Sequence, residues 1–72
     1  MTVTLTVVLR CGTVFALRFD GESCEEDAFT MFRQWRKGGC QFLLHEQPDG
    51  EVAGIMCGEV AAMQIGPVED AA

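Results

Sequence analysis

The feature that most constrains the fold is an alternation of residue types near the N-terminus. Residues 2 to 10 read TVTLTVVLR, in which Val3, Leu5, Val7 and Leu9 alternate with threonines as far as Val7. A period of two in residues that favour extended backbone predicts a β-strand. Cys11-Gly12-Thr13 then provides a tight turn, and residues 14 to 19 alternate again, with Phe15, Leu17 and Phe19 on one face. The chain is therefore expected to begin with a β-hairpin.

A helix is predicted after the break at Asp20-Gly21-Glu22. Ser23 followed by Glu26 fits a capping box, in which the hydroxyl and the carboxylate satisfy free backbone donors reciprocally. Gly38-Gly39 ends the helix, because glycine tolerates the left-handed conformation just past a C-terminus. A helical projection shows one apolar stripe, which consists of Cys24, Ala28, Met31, Phe32 and Trp35. Phe29 lies at the edge of this stripe.

The second half of the chain returns to strand patterns. Residues 40 to 47 and 51 to 57 flank the turn Gln47-Pro48-Asp49-Gly50, and Gly54 is expected to weaken or bulge the second strand. Residues 60 to 65 form a short last strand, with room for a helical turn before it. The order ββαββ, with this short fifth strand, predicts an α+β fold in which one helix packs on one face of an antiparallel sheet of four to five strands.

The composition suggests that the chain does not act alone. Residues 1–67 form one domain, and 68–72 are expected to be a flexible acidic tail. The 72 residues are 49% hydrophobic, which is more apolar surface than so small a core can bury. Either the sheet curls into a barrel or its second face packs on another molecule, and we favour a homodimer or higher oligomer. The candidate oligomer face consists of Val8, Val14, Ala16, Leu43 and Ile55. An edge strand is the alternative interface.

Positive charge concentrates in residues 29 to 39, FTMFRQWRKGG, where bases and aromatic residues interleave. One interpretation is a nucleic-acid surface in which the bases bind phosphates and an aromatic ring stacks on a nucleobase. The other is the end of an ordinary helix, with acids in its first turn and bases in its last, as the helix dipole favours. A net charge of -6 disfavours nucleic acid. The outer helix face is expected to carry Arg33 and Lys37.

No motif indicates catalysis, a cofactor or a metal. His45 is the only histidine, and the four cysteines, Cys11, Cys24, Cys40 and Cys57, contain no Cys-x-x-Cys pair. Zinc ligands usually come in closely spaced pairs, and a nucleophile needs an oriented base. No stretch approaches the roughly 18 apolar residues of a membrane span. We therefore predict a cytoplasmic protein without enzymatic activity, with its cysteines as free, mostly buried thiols.

The acidic residues support an alternative function. They group around the helix start and a second turn, at Asp20, Glu22, Glu25, Glu26, Asp27, Glu46, Asp49 and Glu51. An acidic protein of this size can block a nucleic-acid-binding host enzyme by mimicking phosphates. The dense first group is also what the start of a capped helix contains. The main prediction is a protein-binding module that self-associates, with a host protein as a further expected partner.

Three segments, RCGTVFALRF, EEDAFTMFRQWRKGG and EVAAMQIGP, carry a resemblance. Their hairpin, helix and hydrophobic last strand resemble those of short uncharacterised proteins of actinobacteria and their phages. The resemblance spans most of the chain and consists of hydrophobicity and turns. The resemblance implies an accessory protein of a phage or mobile element, and it does not identify any site residues.

Overall fold

The computed structural model describes residues 1–38 and 41–70. Within these residues the fold is α+β, as predicted, and the short fifth strand is present. A 3-10 helix at Cys57–Glu59 is the helical turn expected before that strand. The elements, in chain order, are β1 (Thr2–Leu9), β2 (Val14–Asp20), α1 (Cys24–Arg36), β3 (Phe42–Glu46), β4 (Val52–Met56) and β5 (Val60–Ile65).

The five strands are antiparallel and divide into two sheets. The larger sheet has the order β2-β1-β5, and the smaller sheet is the β3–β4 hairpin. Leu5 at the centre of β1 pairs with Leu17 on one side and with Ile65 on the other. The register between β1 and β5 shifts between Val8 and Leu9, which is the irregularity of a β-bulge.

The core lies between the larger sheet on one side and the helix and hairpin on the other. Alternation on β1 sends Val3, Leu5 and Val7 inward and its threonines and Val8 outward. The helix contributes Cys24, Ala28 and Met31, with Trp35 half-buried against them. The buried apolar set is Val3, Leu5, Val7, Leu17, Phe19, Cys24, Ala28, Met31, Leu43, Ile55, Cys57 and Val60.

The helix ends as predicted but begins differently. Gly38 adopts a φ of 79°, and its N–H donates to the Trp35 carbonyl, so the predicted stop is confirmed at Gly38, whereas Gly39 lies outside the described residues. Ser23 is the N-cap, but its hydroxyl caps no backbone N–H. It donates instead to the Asp27 carboxylate at 3.2 Å. The predicted capping box between Ser23 and Glu26 is therefore wrong, because another first-turn acid takes the hydroxyl.

The hairpin attaches to β2 through polar side chains. The Arg18 N–H donates to Gln47 Oε1 at 2.9 Å, and His45 Nε2 lies 2.7 Å from the Arg18 carbonyl. Gln47 Nε2 also donates to the Ala16 carbonyl at 3.4 Å. The His45 ring packs on Phe19 with ring centroids 4.0 Å apart. These contacts satisfy backbone groups of β2 that no strand pairs with.

One further prediction needs correction. The pairing of β3 and β4 runs without a register shift through Leu44 and Gly54, so the bulge expected at Gly54 is absent. In the described part of the predicted tail, Glu69 exchanges two backbone hydrogen bonds with Thr2, at 2.7 and 2.8 Å, and Val68 packs against the core. The described chain has no helix long and apolar enough to cross a membrane.

Candidate interaction surfaces

The structure separates the predicted oligomer face into two parts. Val8, Val14 and Ala16 do share the outer face of the larger sheet, and the Val14 side chain is 58% exposed. Leu43 and Ile55 are 3% and 5% exposed and belong to the core. Their inclusion in that face is wrong, because the hairpin turns its Leu43–Ile55 side inward.

The opposite side of the hairpin exposes large apolar side chains. The register pairs Phe42 with Met56, and Val52 with Glu46. Phe42, Leu44, Val52 and Met56 are 51%, 63%, 65% and 57% exposed. We call these four residues the apolar hairpin face. Contiguous exposed apolar side chains on a small soluble domain mark an interaction site more often than scattered ones do.

Gly54 gives this face its shape. A Cβ atom at Gly54 would lie 2.8 Å from Cζ of Phe42, so the ring lies directly over the glycine backbone. An aromatic ring that covers a glycine on the neighbouring strand shields its backbone and stabilises the pair. The ring therefore lies flat across the hairpin while half of its surface stays exposed.

A pocket of about 200 Å³ adjoins the same face. Phe15, which is 45% exposed, lies on its wall together with Met56. The other lining residues are Leu9, Gly54, Ile55 and Glu59. Phe15 belongs to β2 and Met56 to β4, so the apolar surface continues from the hairpin to the larger sheet.

The positive charges gather at the opposite end of the helix from its acids. Arg33 and Lys37 are exposed, as predicted, and line a pocket of about 470 Å³ with Arg36. The Arg33 guanidinium carbon lies 5.7 Å from the centre of the Phe29 ring, within the range of a cation–π contact. Phe32 and Trp35 pack edge to face with centroids 5.8 Å apart. The aromatic rings of the segment are thus engaged within the protein.

Arg10 also lies at this basic end, although the sequence pattern did not identify it as a candidate residue. A cleft of about 480 Å³ lies between the end of the helix and the start of β5. Arg10 and Arg36 line it together with Trp35, Gly38, Cys57, Gly58, Val60 and Ala61. Among the described residues, the one ion pair joins Arg18 to Asp20 at 3.2 Å, so neither cleft arginine is neutralised there.

The residues considered for catalysis have structural contacts. His45 Nε2 faces a carbonyl, which can only accept, so this nitrogen carries a proton and cannot act as a base. Cys24 is a buried free thiol and Cys11 an exposed one, whereas Cys57 is disulfide-bonded and departs from the expected free thiol. Cys40 lies outside the described residues. The hydrogen bond between Cys11 Sγ and the Thr13 hydroxyl is the main cause that lowers the pKa of Cys11.

Several acidic residues of the predicted inhibitor surface also form hydrogen bonds within the folded chain. Asp20 accepts hydrogen bonds from the Thr2 hydroxyl at 2.9 Å and from Arg18 Nε at 3.2 Å. Asp49 accepts one from the Glu51 N–H at 3.0 Å within the hairpin turn. Within the described part of the chain, no three histidine, cysteine or acidic side chains come together as a metal site would require.

Comparison with known proteins gives no relative. The chain matches no protein-family model, and a search of curated proteins and of solved structures finds no match either.

Proposed function

We propose that this chain is a small, non-enzymatic protein-binding module that self-associates through the apolar hairpin face. The observation that carries the proposal is the set of four large apolar side chains, each at least half exposed, on one side of a single hairpin. The resemblance to short actinobacterial and phage proteins supports a role as a cytoplasmic accessory protein of a phage or mobile element.

A second copy is the occupant that the charges favour. Each chain carries a net charge of -6, so two copies repel one another wherever acidic surfaces meet. The apolar hairpin face has no charge of its own, and Glu46 lies at its end, opposite Val52. A two-fold axis through the face sets the Phe42 end of one copy against the Val52 end of the other. Such a dimer buries apolar surface without opposing acids.

The size of the face indicates a weak dimer. Complete burial of such a side chain is worth about 1.5–3 kcal/mol, and roughly half of that remains to be gained on association. Four side chains from each copy then provide about 6–12 kcal/mol, against an association cost of about 4–15 kcal/mol, so the net gain is at most about 8 kcal/mol. Burial of Phe15, which lies beside Met56, adds to the favourable free energy of association. We expect a dissociation constant in the micromolar to millimolar range, which requires measurement over a wide concentration range.

Light scattering over that range tests the proposal. The mass should rise from 7.9 kDa towards twice that value as concentration increases. The double variant Leu44→Glu/Val52→Glu should remain a monomer, since both side chains are exposed and their replacement leaves the core intact. The matched control is Val14→Glu, which places one charge on the outer face of the larger sheet and should leave dimerisation unchanged.

Two results would contradict the proposal. The first is a monomeric mass at every concentration. The second is loss of the dimer in Val14→Glu but not in the hairpin variant, which would assign the interface to the larger sheet. The inhibitor alternative has its own readout, because an acidic mimic binds a basic protein at low salt and loses affinity as salt rises.

A further inference from the structure

The outer edge of β5 pairs with no strand of the described residues. β5 pairs with β1 and stands at the end of the order β2-β1-β5. In the described chain, no hydrogen bond joins residues 61–65 to anything except β1. A strand edge of this kind presents unpaired N–H and C=O groups to solvent and can pair with another chain.

The direction of the free backbone groups follows from the pairing with β1. The Gly66 N–H donates to the Thr4 carbonyl at 2.9 Å, so residue 66 points its backbone at β1. Backbone groups alternate along an antiparallel strand, and residue 64 therefore also points at β1. Met63 and Ile65 then point their N–H and C=O groups away from the sheet. The free edge offers two pairs of backbone groups to an incoming strand.

The sequence of β5 does nothing to block such pairing. Val60–Ile65 reads VAAMQI and contains no charged residue and no proline. Natural proteins protect exposed edges with lysines, prolines, bulges or covering loops. The bulge near Leu9 affects the start of β5 and leaves the edge from Ala62 onward regular.

Positive charge lies at the start of this edge. Val60 and Ala61 line the same cleft as Arg10 and Arg36, and neither guanidinium makes an ion pair with a described residue. The edges of β3 and β4 are also without a partner strand in the described chain, and the pocket beside β3 contains Glu46. Glu59 lines the pocket beside β4 and also precedes β5, where its carbonyl accepts the Arg10 N–H, so one acid faces two arginines at the start of β5. β5 is thus the edge at which free backbone groups and unneutralised arginines meet.

From this geometry we propose that β5 binds an extended, acidic segment of another protein by β-strand addition. Its backbone pairs with Met63 and Ile65, and a carboxylate near the start of β5 is held between Arg10 and Arg36. Main-chain pairing supplies affinity in this mode of recognition, and the side chains select the partner. The acidic segment also matches the basic end that Arg10, Arg36 and Lys37 form on a chain with a net charge of -6. This site is distinct from the apolar hairpin face.

The test titrates the isotope-labelled full chain with a blocked short peptide that alternates valine and glutamate. The amide signals of Met63 and Ile65 should shift and their exchange with solvent should slow. The same peptide with lysine in place of glutamate should bind at least about tenfold more weakly, and N-methylation on its pairing edge should abolish binding. Added salt should weaken binding of the glutamate peptide.

Protein variants localise the charge contribution. Arg10→Glu/Arg36→Glu should lower the peptide affinity about tenfold or more, whereas the control Arg33→Glu, at the outer helix face, should change it much less. Repeating the titration with Leu44→Glu/Val52→Glu separates the two proposals, because this variant should still bind the peptide as a monomer. Far-UV circular dichroism checks that each variant is folded.

Three outcomes would overturn this proposal. Equal binding of the glutamate and lysine peptides would remove the role of the arginines. Signal changes confined to Phe42, Leu44 and Val52 would move the peptide to the apolar hairpin face. Displacement of the peptide by a single-stranded oligonucleotide, with shifts at Arg10 and Arg36 alone, would assign the basic cleft to nucleic acid instead.

Discussion

The two outer strands of the larger sheet, β2 and β5, differ in what covers their free edges. On β2, the side chains of His45 and Gln47 bond both backbone groups of Arg18. On β5, the outward backbone groups of Met63 and Ile65 form no hydrogen bond with a described residue. The hairpin thus covers the middle of one edge with side chains rather than with a strand, and it leaves the other edge available.

This difference shows how a small chain handles a sheet with two edges. A hairpin that paired directly with β2 would leave its own outer strand as a new edge. Packing the hairpin over the core instead lets Leu43 and Ile55 complete the buried cluster. The cost is that the other side of the hairpin exposes Phe42, Leu44, Val52 and Met56. The packing of the hairpin over the core therefore both covers part of the β2 edge and creates the apolar hairpin face.

The largest expected effect compares apolar residues on the two edge strands. Phe19 on β2 is 6% exposed and lies under the hairpin, whereas Ile65 on β5 is half-buried. Phe19→Ala should lower the free energy of unfolding by about 3–5 kcal/mol, and Ile65→Ala by about 1–2 kcal/mol, because less surface is buried at Ile65. Urea denaturation measures both. Equal losses would show that the β5 edge is as well covered as that of β2.

Much of this fold can be predicted from the sequence because local patterns specify it. The alternation from Thr2 to Leu9 and the turn from Gln47 to Gly50 depend on neighbouring residues, and the strands appear where those patterns place them. The apolar stripe of the helix likewise predicts its buried residues Cys24, Ala28 and Met31. Periodicity is a local signal, and it identifies the elements and one face of each.

The candidate surfaces were harder to predict. Phe42, Leu43 and Leu44 are three consecutive apolar residues, so alternation alone does not say which side of β3 faces the core. The inward side is decided by contacts distant in sequence, such as that between His45 and Arg18. Gly54 was the available signal for the apolar hairpin face, since a glycine opposite an aromatic strand often lies beneath its ring. Arg10 reaches the basic end only through the folded position of β1.

An intermediate effect is expected at the closed edge. His45→Ala removes the hydrogen bond to the Arg18 carbonyl and the ring contact with Phe19, so the free energy of unfolding should fall by about 2 kcal/mol. His45→Phe restores a ring and should recover part of the loss. The control is Gln64→Ala on β5, where the side chain is exposed, with an expected change within about 0.5 kcal/mol. A similar loss in both alanine variants would remove the distinction between the edges.

The smallest expected effect concerns single amides. In the unmodified protein at low concentration, the Arg18 amide should exchange with solvent slowly and the Met63 amide quickly, because only the first donates to a protein group, Gln47 Oε1. Gln47→Ala should cost about 1 kcal/mol and speed exchange at Arg18 about fivefold without changing exchange at Met63. Hydrogen exchange followed by nuclear magnetic resonance reads both amides in one sample. Slow exchange at Met63 in the dilute monomer would mean that the edge of β5 is already covered, and strand addition there would be excluded.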